Sequence, residues 1–261
     1  VKKHIKIIFA LFIIILLFAS CEFKNEGREK NDIAKINYAV QFDTLTLFDS
    51  VRNRAIPIAV YAPKVGNLKG LPIVILNHGY NYNESGAYLA YSYLGETLAT
   101  HGYFVVSIEH DLVTDDLLVL EGKPQLARLP SWQRGSDNIY RVLEELKSRY
   151  PNLKYEDVGL IGHSNGGDMA VLFAHQHPKL IARVITLDHR RMPFPNNKSL
   201  KMYSLRSNDQ IADEGVLPTE TDSLMVTIVS LKNTKHGEMS DSGTEEQKKE
   251  ITDFVVQFLK D

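Results

Sequence analysis

Val158-Gly159-Leu160-Ile161-Gly162-His163-Ser164-Asn165-Gly166-Gly167 is the stretch on which the fold turns. Asp157 to Ile161 reads as a short buried strand, and Gly166 to His175 reads as a helix that follows almost at once. A strand that becomes a helix within a few residues forces a sharp, strained turn, and glycines on either side leave room for close packing. A serine at that turn projects its Oγ above the carboxyl edge of a sheet. The amino terminus of the following helix favours negative charge developing there. The pattern G-x-S-x-G recurs by chance; the strand before it and the helix after it make it specific. Ser164 is therefore the candidate nucleophile.

Working outward, Leu71 to Leu76 is a continuous apolar run ending in Asn77-His78-Gly79, as expected of a strand buried on both faces. Tyr103 to Ile108, Ala182 to Leu187, Met202 to Leu205 and Met225 to Leu231 are further strands. Upstream, Phe42, Leu45, Leu47 and Val51 lead through Arg52-Asn53-Arg54 into Ile56 to Tyr61, an antiparallel hairpin. Helices are expected over Tyr88 to Ala99 and roughly Gly135 to Arg149. At the end of the chain Thr244 and Gln247 form a capping box before the stripe Ile251, Phe254, Val255, Phe258 and Leu259. Two antiparallel strands followed by alternating strand and helix predict an α/β fold. Its sheet is mostly parallel and doubly wound, with helices on both faces. The apolar segment with Leu112, Val113 and Leu117 to Leu120 is expected as a short buried helix, with an acyl-pocket wall or a lipid contact as alternatives. Trp132 beyond it is a substrate wall or core.

The amino terminus reads differently. Lys2, Lys3, His4 and Lys6 precede an apolar run from Ile7 to Ala19, and Ser20-Cys21 follows. A charged start, a short apolar stretch and a small residue describe a secretory signal, and the run is shorter than the about 20 residues a spanning helix needs. Leu17-Phe18-Ala19-Ser20-Cys21 resembles the lipobox of bacterial lipoproteins, with Phe18 where Leu is commoner. Cys21 is the only cysteine, and it falls at the position lipidation requires. The expected organisation is a signal over 1–21, a flexible tether over 22–36 and one catalytic domain over 37–261. The expected location is outside the cytoplasm, membrane-anchored through a lipid on Cys21.

Composition narrows the function classes. Hydrophobic residues make up 44% of 261, which excludes a disordered chain and supplies one sizeable core. The 30 Lys plus Arg nearly balance 32 Asp plus Glu, so no nucleic-acid footprint is expected. A single cysteine excludes a disulfide framework and a thiolate metal site, and the reading calls for no cofactor and no metal.

A serine hydroxyl needs a base, and the base needs an acid to orient it. Of nine histidines, His175 and His177 end the helix that starts at Ser164 and point away, and His189 directly follows a strand. His236, in Asn233-Thr234-Lys235-His236-Gly237, lies between the last strand and the last helix and is the expected base. Two acids are open. Asp209 follows the strand ending at Leu205 and is placed first; Asp188, which ends the preceding strand, is the alternative. The other would form a salt bridge, for example with Arg190, Arg191 or Arg206, and Asp213 reads as a loop residue. The oxyanion hole is expected from the backbone N–H groups of Tyr80 and Asn165.

Asn77-His78-Gly79-Tyr80, Leu98 to Val106, Gly162 to Gly167 and His236 together resemble the α/β-hydrolases. The likeness is to the platelet-activating-factor acetylhydrolase-like and cutinase-type polyester-hydrolase-like branch of the dienelactone hydrolase relatives. The resemblance runs from about Ile56 to His236 and implies the α/β-hydrolase fold with activity on a small-molecule carboxylic ester. It implies Asp188 by the first branch and Asp209 by the second, and it places Tyr80 at the oxyanion position. The paired cysteines of many polyester hydrolases are missing. Rival expectations are a non-catalytic binding lipoprotein on this scaffold, or an acyltransferase or peptidase of the same fold.

Overall fold

The computed structural model describes residues 37–218 and 225–261. The expected signal, the expected lipidation site Cys21 and the expected tether lie outside them. One eight-stranded sheet runs through the described chain. Its strands are β1 (Val40–Asp49), β2 (Arg54–Pro63), β3 (Pro72–Asn77), β4 (Phe104–Ile108), β5 (Lys154–His163), β6 (Arg183–Leu187), β7 (Lys201–Arg206) and β8 (Val226–Ser230). The order across the sheet is β1-β2-β4-β3-β5-β6-β7-β8. β1 pairs antiparallel with β2, and β2 antiparallel with β4; every later pairing is parallel. The hairpin and the parallel body match the sequence expectation.

Strand period two sends alternate residues to two separate cores. Ile73 and Ile75 of β3 face the helices α3 (Leu129–Arg149) and α4 (Ser164–Gln176), packing with Ile139, Val142 and Phe173. Val74 and Leu76 face α1 (Ser92–Thr100) and α5 (Glu245–Lys260), packing with Leu94, Leu98, Val255 and Phe258. Both faces are covered, so the central strands are apolar throughout. At about 25 cal/mol per Å² removed from water, this burial is the main term holding the sheet between its helices. A short helix, α2 (Pro124–Ala127), precedes α3. Among the described residues no helix is long and apolar enough to cross a membrane.

Three local expectations are corrected. The helix expected over Tyr88–Ala99 is a single 3-10 turn, Ala87–Leu89, followed by α1 from Ser92. Its start is set from afar, because the Asp241 carboxylate accepts from the N–H groups of Ser92 and Tyr93 at 3.0 and 3.1 Å. The helix expected from Gly135 begins at Leu129, with Pro130 in the first turn, where a missing N–H costs nothing. Gly135 marks a crossing instead, since a Cβ there would lie 2.3 Å from Met169 Sδ on α4. The 112–120 segment is not helical. Leu118 is buried, whereas Val113, Leu117, Val119 and Leu120 are exposed. Trp132 is core, wholly buried, with Nε1 donating to Asn165 Oδ1 at 2.8 Å. The Thr244–Gln247 capping box forms as expected.

Asp168 ties α4 to the loop after β6. Its Oδ1 accepts from the N–H groups of Arg191 and Met192, both at 2.9 Å. Burial pushes its carboxyl up to about 6 from an ordinary 3.8 despite those bonds. The penalty for the buried charge is absent in acid, grows as pH rises past the unfolded value, and is complete above about 6. Asp168→Asn keeps the acceptor and removes the charge. It should gain on the order of 1–3 kcal/mol of stability at pH 8 and little at pH 4, read from urea midpoints at the two pH values.

Candidate active site

Ser164 stands where β5 ends and α4 begins, with φ 50° in the left-handed region. That conformation costs a non-glycine residue on the order of 1 kcal/mol or more and persists because the packing around it leaves no alternative. The glycines enforce it. A Cβ on Gly166 would meet the carbonyl oxygens of Asn77 and His78 at 2.3 Å, and one on Gly162 would meet the Gly166 oxygen at 2.4 Å. The end of β3 and the start of α4 thus approach backbone to backbone.

His236 opens the 3-10 turn His236–Met239 between β8 and α5. Its Nε2 lies 2.9 Å from Ser164 Oγ and its Nδ1 2.5 Å from Asp188 Oδ2. Asp188 directly follows β6, is wholly buried and has φ 56°, the second left-handed residue of the site. Ser207 donates to it twice, Oγ to Oδ2 at 2.7 Å and N–H to Oδ1 at 3.1 Å. The Arg206 guanidinium lies 2.8 Å from Oδ1. Burial pushes this carboxyl up, but the His236 hydrogen bond, the Arg206 charge and the Ser207 bonds together hold it at about 2. It is ionised throughout the neutral range.

Asp209, placed first from the sequence, is not at the imidazole. Its exposed carboxylate accepts from the main-chain N–H of His236 at 2.7 Å, outside the site. The reason is the sheet order: β6 lies next to β5, so a residue turning at its end reaches the ring, and β7 supplies that residue's donors from the far side. Arg206 does pair with an aspartate, but with the one at the ring. Asp213 is a loop residue bonded to Arg191.

The other histidines downstream of Ser164 are structural. His175 Nε2 donates to the Pro193 carbonyl, and His177 packs on Tyr140 and Phe173. His189 is buried with Nδ1 2.9 Å from Thr186 Oγ1; burial, then the Arg206 charge, lowers it to about 3.

Asn165 is the second residue of α4, so its N–H has no partner one turn back within the helix and is free to face a ligand oxygen. Tyr80 lines the same cavity, with its hydroxyl accepting from Leu118 N–H at 3.1 Å. The loop carrying Tyr80 is braced from behind. Glu109 Oε2 accepts from Gly86 N–H at 2.7 Å, and Oε1 lies 2.9 Å from buried His78 Nε2. Burial lowers His78 and Glu109 raises it, with a net upward result. Glu109, Ser207 and Tyr91 are residues at the site that the sequence reading passed over, and Arg206 was read only as a salt-bridge partner for the aspartate away from the ring. The charged run Glu109-His110-Asp111 at a strand end was the one visible signal.

Above Ser164 lies a cavity of about 430 Å³, lined by small or neutral side chains including Ala87, Ala90, Ser85 and Ser240. Apart from histidines, no lining side chain among the described residues is charged. None of residues 112–120 reaches it. The arrangement can take a proton from a hydroxyl, hold the resulting imidazolium against a carboxylate, and offer backbone N–H groups to an oxyanion.

A family model described as "Serine aminopeptidase, S33" matches residues 71–187, which run from β3 through the elbow to the end of β6. No curated relative matches the sequence. A Klebsiella pneumoniae protein assigned as a dienelactone hydrolase superposes with TM-score 0.60 at 16% identity, over 85% of this chain and 98% of that one. Fungal esterases from Rhizomucor miehei give 0.59 at 13%, over 86% and 84%. A Bacteroides ovatus protein assigned as a dipeptidyl aminopeptidase IV gives 0.57 at 14%, over 85% of this chain and 36% of its own. At such identities these likenesses speak for fold. Taken with the strand order and the elbow, they show the α/β-hydrolase fold.

Proposed function

We propose that this α/β-hydrolase cleaves carboxylic esters with short acyl groups through an acyl-enzyme on Ser164. The observation that carries the reading is the His236 imidazole seated between Ser164 Oγ at 2.9 Å and Asp188 Oδ2 at 2.5 Å. His236 Nε2 takes the hydroxyl proton as Oγ bonds to the ester carbonyl carbon. The N–H groups of Tyr80 and Asn165 hold the oxygen that gains charge. The C–O bond to the leaving alkoxide then breaks, and the alkoxide takes the proton from His236. Water, deprotonated by the same nitrogen, releases the acid and restores Ser164. Asp188 holds the tautomer and faces the imidazolium in each half.

Substrate class is argued from the cavity. Its volume of about 430 Å³ and its lining, which sets the small Ala87, Ala90, Ser85 and Ser240 beside the aromatic Tyr80 and Tyr91, suit a small, uncharged acyl or alcohol group. A carboxylate is the natural partner for the free ammonium of a peptide substrate, and among the described residues none lines this cavity. Ester cleavage is also what the Rhizomucor miehei esterases of the same fold are named for. Cleavage outside the cytoplasm, on a lipid anchor at Cys21, completes the reading from the lipobox-like end of the leader. Labelling cells with an alkyne fatty acid should mark the wild-type chain and leave Cys21→Ser unmarked; equal labelling would refute the anchor.

Phosphonylation by a fluorophosphonate reads the activated serine whatever the natural ester. Wild type should label and Ser164→Ala should not. Asp188→Asn should slow labelling by roughly 10³- to 10⁴-fold, because the imidazole loses its tautomer and its counter-charge. Asp209→Asn should slow it by no more than about 10-fold, since an exposed acceptor to one N–H is replaceable by water. The reverse order for the two aspartates would overturn the assignment of the acid.

A further inference from the structure

The cavity wall holds a hydrogen-bonded chain that the roles above leave unused. Gly79 N–H donates to Tyr91 Oη at 3.3 Å. Tyr91 Oη lies 2.6 Å from His163 Nδ1, and His163 Nε2 lies 3.0 Å from the main-chain carbonyl of His236. Both ends fix its direction, because an amide N–H only donates and a carbonyl only accepts. Nε2 therefore carries the proton, Nδ1 offers its lone pair, and the Tyr91 O–H points at Nδ1. In a neutral imidazole with its proton on Nε2, Nδ1 is the acceptor, and the chain runs one way from Gly79 N–H to the His236 carbonyl. Burial, and then the nearby His236, lowers His163 to about 3, so the chain keeps its direction at neutral pH.

We propose that Tyr91 and His163 are positioning residues: their neutral relay fixes the spacing between the oxyanion loop at Gly79-Tyr80 and the turn that carries His236. Packing supports the same view. The His163 ring sits 4.7 Å from the His236 ring and 5.7 Å from the Tyr91 ring. A Cβ on Gly79 would come within 2.8 Å of His163 Nδ1, so the loop is pressed against the relay. Two consequences follow. The Gly79 N–H is occupied, which leaves the next amide, that of Tyr80, as the loop's donor to an oxyanion. The His236 backbone is held at both ends, its N–H by Asp209 at 2.7 Å and its carbonyl by His163. Base and oxyanion donors sit on separate loops, and a misplacement of about 1 Å between such groups can cost 10²-fold in rate.

The kinetic part of the test rests on the esterase reading; a spectroscopic part does not. On the full chain with p-nitrophenyl acetate, Tyr91→Phe and His163→Asn each cut the relay, the second by keeping a group at Nδ1 only. Each should lower kcat about 10- to 100-fold and change KM less than about 3-fold. The double variant should lose no more than the worse single one, because one chain can be cut only once. Multiplicative losses, or a loss confined to KM, would overturn the proposal. Independently of any activity, Tyr91→Phe should shift the ¹³C resonance of the His236 carbonyl, which Tyr91 does not touch. An unmoved resonance in a folded protein overturns the relay, whereas absent ester turnover with a moved resonance counts against the esterase reading alone. If His163→Asn does not fold, Tyr91→Phe supplies both the kcat–KM split and the resonance.

Discussion

The site depends on a conformational constraint shared by two residues at the ends of neighbouring strands. Ser164 after β5 and Asp188 after β6 both have positive φ, at 50° and 56°. In ordinary strand geometry neither side chain would turn across the carboxyl edge. In the left-handed region both do, and the His236 imidazole fits between them. The cost of each turn is met by what surrounds it: glycines that let α4 close on β3, and β7 donors that seize the Asp188 carboxylate. Sheet order supplies the rest, because parallel neighbours bring successive strand ends to one edge.

Around that constraint the protein keeps charge local. Asp188 is buried, yet three hydrogen bonds, two from Ser207 and one from His236, and the Arg206 charge hold it ionised. Two histidines packed nearby, His163 and His189, are lowered to about 3 by burial and stay neutral. Only His236 has both ring nitrogens placed on reacting partners. The site therefore separates one imidazole that trades protons from two that hold structure, although all three have the same chemistry in the sequence.

The fold was legible because its signals are local and repeated. Apolar runs such as Ile73 to Leu76 need burial on both faces, and the step from Val158–Ile161 into Gly166–Gly167 admits few geometries. Ser164 and His236 were legible for the same reason, each being tied to a strand end. What the sequence hid is non-local. The choice between Asp188 and Asp209 turns on which strand end lies next to β5 and on donors from Arg206 and Ser207, eighteen or more residues away in the chain. The start of α1 is set by Asp241, and α3 begins at Leu129 with Pro130 in its first turn, well ahead of the expected Gly135. Tyr91 looked like one aromatic of an ordinary helix; only the fold sets its hydroxyl between Gly79 and His163.

The central claim is spatial: nucleophile, base, acid and oxyanion donors converge on one carbonyl. A crystal structure of the fluorophosphonate-treated protein tests this directly. The account predicts phosphorus bonded to Ser164 Oγ, with the phosphoryl oxygen about 2.7–3.1 Å from the N–H groups of both Tyr80 and Asn165. His236 Nε2 should stay within hydrogen-bond reach of Oγ. An adduct on another residue, or a phosphoryl oxygen turned away from both amides, would contradict it.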